Sequence, residues 1–147
     1  MSVSKVQIFF EDIKPLNFHR NHVKKFAKKL IISELKIPGE ISLIICSDKY
    51  LLKINVDYLQ HNYYTDIITF NYVEGNLISG DLFVSIDRVK ENSVKYNTSW
   101  IKELYRVIFH GLLHLVGYND KTAEEQKMMR EKEDLYLGEV DFSEIEI

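Results

Sequence analysis

The chain has one cysteine, no apolar run long enough to cross a bilayer, no excess of positive charge, and no internal repeat, linker or low-complexity segment. Each shortage excludes a class of protein. A single cysteine, Cys46, rules out an intrachain disulfide framework, and its place in the apolar run 41–46 predicts a buried, inert thiol. A transmembrane helix needs about 20 apolar residues in a row, which the chain does not supply. Residues 1–6 lack the apolar centre of a signal peptide. The expectation is a cytoplasmic protein with no membrane partner. With 19 Lys and Arg against 22 Asp and Glu, the net charge is -3, so there is no global cationic field. A nucleic-acid partner must be met by a local basic surface.

What is present suits one globular domain, residues 1–147, with 46% hydrophobic and 28% charged residues. Residues 6–10 read as a strand. From 18 to 35 the pattern is helical, with Val23, Phe26, Ala27, Leu30 and Ile31 on one face and Lys24, Lys25, Lys28 and Lys29 on the other. That lysine face is either a solvated surface or, with Lys24 and Lys28 foremost, a path for a phosphate backbone. Pro38-Gly39 reads as a turn, and 41–46 as a central strand apolar on both faces. Ser47 or Asp48 can cap a short helix, followed by a polar and aromatic stretch over 55–64 that contains His61. Residues 67–70 and 82–86 read as strands, linked through turn chemistry at Glu74-Gly75-Asn76 and a break at Ser79-Gly80. Helices are expected over 87–96, from an Asn97-Thr98-Ser99 cap through Leu115, and over 122–137 with Met128, Met129, Leu135 and Tyr136 inward. Residues 139–147 read as a loose acidic tail. The order β-α-β-α-β-β-α-α-α predicts an α/β single-domain sandwich with about four strands in a mixed sheet and about five helices.

Within the penultimate helix stands His110-Gly111-Leu112-Leu113-His114, followed by Gly117 and Asp120, the spacing H-x3-H-x2-G-x2-D. Residues four apart on a helix share a face, so both imidazoles can reach one metal ion. Gly117 is suited to end the helix in the left-handed conformation, which lets the chain fold back and bring Asp120 to the same ion. Two histidines and one carboxylate leave a fourth tetrahedral position open, as in a catalytic zinc site. The spacing matches the metzincin peptidase signature, with aspartate for its third histidine. In those enzymes the residue after the first histidine is the glutamate base. Here it is Gly111, which argues against peptide chemistry and leaves space beside the metal for a bulky substrate.

His110-Gly111-Leu112-Leu113-His114-Leu115-Val116-Gly117-Tyr118 resembles the H-G-x-L-H-L-x-G-Y signature of the YbeY endoribonucleases. Two upstream segments are similar to that family as well. Tyr64-Thr65-Asp66-Ile67-Ile68-Thr69-Phe70 resembles its P-T-D-V-L-S-F segment, preceded by Asn55 and Tyr58. Gly80-Asp81-Leu82-Phe83-Val84 resembles its G-D-I-x-I strand. The resemblance implies a metal-dependent endoribonuclease with one zinc or other divalent ion on His110, His114 and Asp120. It implies single-strand specificity and a role in ribosomal RNA maturation, at the 3′ end of 16S rRNA, and in ribosome quality control. The partners implied are ribosomal RNA and the small ribosomal subunit, with no DNA. Asn55 and Thr65 are then substrate-binding candidates, and Tyr58, Tyr63 and Tyr64 could stack unpaired bases. Two departures stand out. The family's third ligand is usually histidine, where this chain has Asp120, and its arginine after the tyrosine is here Leu59. His61 is the nearby residue able to replace part of that arginine's function when protonated. The competing functions are a metzincin-like metallopeptidase and a non-catalytic ribosome-assembly factor with a structural metal.

Overall fold

A computed structural model describes residues 5–145. Four strands form one mixed sheet in the order β1-β2-β4-β3, where β1 is Lys5–Glu11, β2 Ile37–Cys46, β3 Ile67–Asn71 and β4 Leu77–Ser85. β1, β2 and β4 run parallel, and β3 pairs antiparallel with β4 as a hairpin. The five helices are α1 (Arg20–Ser33), α2 (Asp48–Leu59), α3 (Ile86–Lys95), α4 (Trp100–Val116) and α5 (Ala123–Leu137). The expected α/β sandwich is therefore the observed one. Among the described residues no helix is long and apolar enough to cross a membrane.

The apolar pattern places the layers. Ile41, Leu43 and Ile45 of β2 join the main core, while Cys46 turns to the other face and packs with Leu51, Ile54 and Ile68 under α2. A strand buried on both sides belongs in the sheet's interior, where β2 stands. Burial pushes the Cys46 thiol up to about 12, which fits the inert role expected of it. α1 and α4 cover the first face, and α3 and α5 pack on α4. The α4 stripe Ile101, Leu104, Ile108, Leu112 and Leu115 is buried along its whole length, so α4 is the central pillar of that layer.

Four local expectations are corrected. Pro38-Gly39 is not a turn but part of β2, where the register to β4 slips between Pro38 and Ile41. Proline has no N–H to offer the ladder, and the irregularity absorbs that loss. Ser79-Gly80 does not break the chain but lies inside β4; a Cβ at Gly80 would meet the Phe70 carbonyl oxygen at 2.6 Å and Leu115 at 2.9 Å. That glycine permits close approach rather than a bend. On α5 the buried face is Met129, Glu133, Tyr136 and Leu137, while Met128 and Leu135 are 45% and 53% exposed. The segment after α5 is also packed: Val140 and Ile145 are buried, and Phe142 meets the Tyr105 ring edge-on at 5.3 Å. Residues 146–147 of the expected tail lie outside the described region.

Candidate metal centre

α4 starts at a Ser99 cap, whose hydroxyl accepts from the Lys102 N–H, and ends at Gly117 with φ 118°. There the Gly117 N–H donates to the His114 carbonyl at 3.1 Å and the Tyr118 N–H to the Leu113 carbonyl at 2.9 Å, which closes the last turn. The returning chain brings Asp120 back over the helix end. Asp120 does not cap α5; Thr122 does so, in a reciprocal capping box with Glu125.

Three donor atoms converge. His110 Nε2 and His114 Nε2 are 3.0 Å apart, and Asp120 Oδ2 lies 3.2 Å from the first and 3.3 Å from the second. Ligands about 2.05 Å from a tetrahedral ion stand about 3.3 Å from one another, so the spacing fits one small divalent cation. All three side chains are half-buried and form a group able to hold a metal. The far ring nitrogens are already spoken for. His110 Nδ1 faces Glu133 Oε2 at 2.7 Å and His114 Nδ1 faces the Tyr118 carbonyl oxygen at 2.9 Å. Both Nδ1 atoms must donate, which leaves both Nε2 lone pairs for the ion.

Further bonds hold these supporting groups, of which Glu133 is buried. Glu133, from α5, also takes the Arg106 guanidinium at 2.9 Å, and Arg106 reaches Asp134 at 2.9 Å. Burial works against ionisation of Glu133, but its bonds to His110 and Arg106 outweigh this and hold it below the usual carboxylate range. For His110, burial disfavours the imidazolium, yet the Glu133 bond and the Glu133, Asp120 and Asp66 charges leave the ring more basic than an ordinary histidine. Tyr118 is held from the other side. Its hydroxyl donates to Glu34 Oε1 at 2.6 Å, while Glu34 Oε2 takes Lys132 at 3.2 Å and the Tyr136 hydroxyl.

Two clefts meet at the donor cluster and share Asp66, Ile67, His110 and Asp120. The larger, about 590 Å³, lies between the α2 end and β3 and is bordered by Asn55, Leu59, His61, Tyr63 and Thr65. The smaller, about 380 Å³, runs between α3, α4 and α5 past Tyr96, Glu103, Arg106 and Arg130. The expected residues Asn55, Thr65 and His61 thus share a cleft with the three donors. Asn55 is buried and its amide donates to the Tyr63 carbonyl at 2.9 Å, so it also pins the loop that carries Tyr63. His61 is exposed, stacked on Tyr63 with its Nδ1 3.0 Å from the Tyr63 hydroxyl. Tyr58 packs instead on Phe70, 6.1 Å away, and Tyr64 lies under Arg88 at 5.5 Å. Lys24 and Lys28 stand on α1 and border neither cleft.

Gly111 faces the sheet and not the metal. A Cβ there would lie 2.6 Å from Ile67 Cδ1 and 3.0 Å from Leu82 Cδ2. The space expected beside the ion is therefore filled by β3 and β4, and a peptidase glutamate at this position has nowhere to go. Three residues escaped sequence reasoning. Glu133 and Glu103 are buried acids on helices, detectable only as charges at apolar positions of the helical repeat. Asp66 lies in a segment already singled out, at the junction of both clefts; burial raises its pKa, only partly countered by His110.

The chain is similar to known proteins over most of its length. The family model described as endoribonuclease YbeY matches residues 8–141. A curated protein of that name from Azobacteroides pseudotrichonymphae is 46% identical over 129 residues, 88% of this chain and 93% of the relative. Another, from Flavobacterium johnsoniae, is 53% identical over 105 residues, 71% of this chain and 76% of the relative. A solution structure from Thermotoga maritima, 24% identical, superposes with a TM-score of 0.63 over 90% of this chain and 87% of its own, and has the same fold.

Proposed function

The chain belongs to the endoribonuclease YbeY family, and on that premise we propose that it is a metal-dependent endoribonuclease that cuts single-stranded RNA in ribosomal RNA maturation, at the 3′ end of 16S rRNA, and in ribosome quality control. In this reading residues 1–147 act as one hydrolase domain, and ribosomal RNA and the small ribosomal subunit are its partners. The observation that carries the reading is the convergence of His110 Nε2, His114 Nε2 and Asp120 Oδ2 at the meeting point of two clefts.

Zinc suits the two-nitrogen, one-carboxylate donor set, and the hard carboxylate also admits other divalent ions. Such an ion supplies Lewis acidity at the scissile phosphate and lowers the pKa of water. The rest is done by the chain. Glu133 and the Tyr118 carbonyl orient the two imidazoles. In this reading Asp66, at the junction of the two clefts, takes a proton from the attacking oxygen. Asn55 and Thr65 shape the wall along which the strand lies. His61, two residues past Leu59, supplies a donor to a phosphate oxygen, and Tyr63 a ring for an unpaired base. Lys24 and Lys28 on α1 bind more distant phosphates and make affinity fall with salt.

The test offers purified chain a fragment spanning the 3′ end of precursor 16S rRNA, and casein, with and without chelator. RNA cut in its single-stranded part, with loss of cutting on chelation and in His114→Ala, is the expected result. Intact RNA with metal-loaded protein overturns the proposal.

A further inference from the structure

Glu103 is 5% exposed, yet no hydrogen bond reaches its carboxylate among the described residues. Arg106, a cation bordering the same space, is engaged elsewhere: it gives one nitrogen to Glu133 and another to Asp134, each at 2.9 Å. No fully buried side-chain oxygen lacks a partner among the described residues, so the Glu103 oxygens must open onto the space they border. That space is the smaller cleft beside His110 and Asp120, and a second one of about 470 Å³ that continues past Tyr96, Arg106 and Arg130. A carboxylate so enclosed calls for donors from outside the chain.

The chemistry of the rim narrows what those donors are. Arg106 and Arg130 border the same space and disfavour a second cation. A neutral ligand with two adjacent donors answers a carboxylate best, because both oxygens can accept at once. Among nucleobases only guanine presents two donors side by side, N1–H and the N2 amino group. Adenine and cytosine pair their amino group with an acceptor, and uracil flanks N3–H with two carbonyls. Tyr96, 60% exposed at the mouth of both clefts, offers a face for stacking. Arg130, its side chain 62% exposed, offers a cation to the attached phosphate. Glu103 precedes His110 by seven residues on α4, about 10 Å along the axis. A base at Glu103 therefore belongs to a nucleotide near the one whose phosphate lies at the metal ligands.

We propose that the cleft beyond the metal ligands is a guanine site, in which Glu103 accepts from N1–H and the N2 amino group of one unpaired base and so sets where the strand is cut. The assignment rests on the ribonuclease reading for its role in cleavage, but guanine binding itself does not depend on it.

The experiment titrates the full, metal-free chain with guanosine, inosine and adenosine 5′-monophosphates and follows amide shifts by NMR. GMP is expected to perturb Glu103 and Tyr96 and to bind about tenfold tighter than AMP, the lower end for a bidentate base contact. IMP, which lacks the N2 amino group, falls between them. Glu103→Gln, checked for native circular dichroism, is expected to bring GMP down to the AMP level. Equal binding of GMP and AMP, no GMP binding, or a GMP preference kept in folded Glu103→Gln overturns the assignment. Should that variant not fold, equal affinity of the wild type for GMP and IMP overturns it instead. Failure of the chain to cut RNA overturns the ribonuclease reading and leaves this binding result standing.

Discussion

Replacing Glu133 with glutamine separates the metal centre's geometry from its mere presence. Glu133 is 6% exposed at its side chain and joins two partners, His110 Nδ1 at 2.7 Å and Arg106 Nη1 at 2.9 Å. Both partners donate. A carboxylate satisfies both at once, whereas an amide has one oxygen and turns its NH2 group toward the other donor. Removing one member of a buried charge pair costs about 3–5 kcal/mol when the other is orphaned. Arg106 is not orphaned, because Asp134 still holds it at 2.9 Å, so about 2 kcal/mol of apoprotein stability is the expected loss. The effect on the metal is separate. The group that accepts from the far ring nitrogen of a ligating histidine is worth about 10–100-fold in metal affinity. The assay is paired: urea unfolding of the metal-free variant, and zinc affinity by competition with a chromogenic chelator. A loss in both is expected. A stability loss with zinc affinity unchanged within about threefold refutes it, and makes Glu133 only a clamp between α4 and α5.

Glu34 yields a pH prediction. Burial opposes its ionisation, but the bonds from Tyr118, Tyr136 and Lys132 win and hold its folded pKa below the ordinary 4.5. Its stabilisation is complete above 4.5 and is lost as pH falls through the folded value. Glu34→Gln should therefore flatten the acid limb of a stability curve, and an unchanged limb counts against the cluster. Gly80→Ala should destabilise by about 3 kcal/mol in thermal or urea unfolding, because the Phe70 carbonyl that its Cβ meets is backbone and cannot swing away. His61→Ala should slow RNA cleavage about tenfold, the worth of one hydrogen bond to a charged group. Unchanged cleavage removes His61 from the site.

The convergence of His110, His114 and Asp120 was legible because their spacing is local: two histidines one turn apart and a glycine that reverses the chain need no tertiary knowledge. Sheet composition was legible for the same reason, since apolar runs of strand length alternate with helical periods. The strand pairing around Pro38 and Gly80 was not, because residues read as punctuation were placed inside strands by neighbours far along the chain. On α5 the apolar residues are too sparse to set the phase. Glu133, committed to His110, occupies an inward position that a hydropathy pattern assigns to an apolar residue. Glu103, Asp66 and Glu133 acquire their meaning only when α4, α5 and the start of β3 come together around His110. The role of Gly111 is hidden for a related reason: its missing side chain serves the packing of α4 on Ile67 and Leu82, which the motif alone does not reveal.

The most direct test of the central claim measures cleavage of a single-stranded ribosomal RNA fragment while chelator-buffered zinc sets occupancy of the centre, with bound metal counted in the same samples. Cleavage is expected to rise in proportion to an occupancy that saturates at one ion per chain, and His114→Ala is expected neither to hold the ion nor to cut. Cleavage that persists in metal-free protein, or a fully occupied centre that leaves the RNA intact, would contradict it.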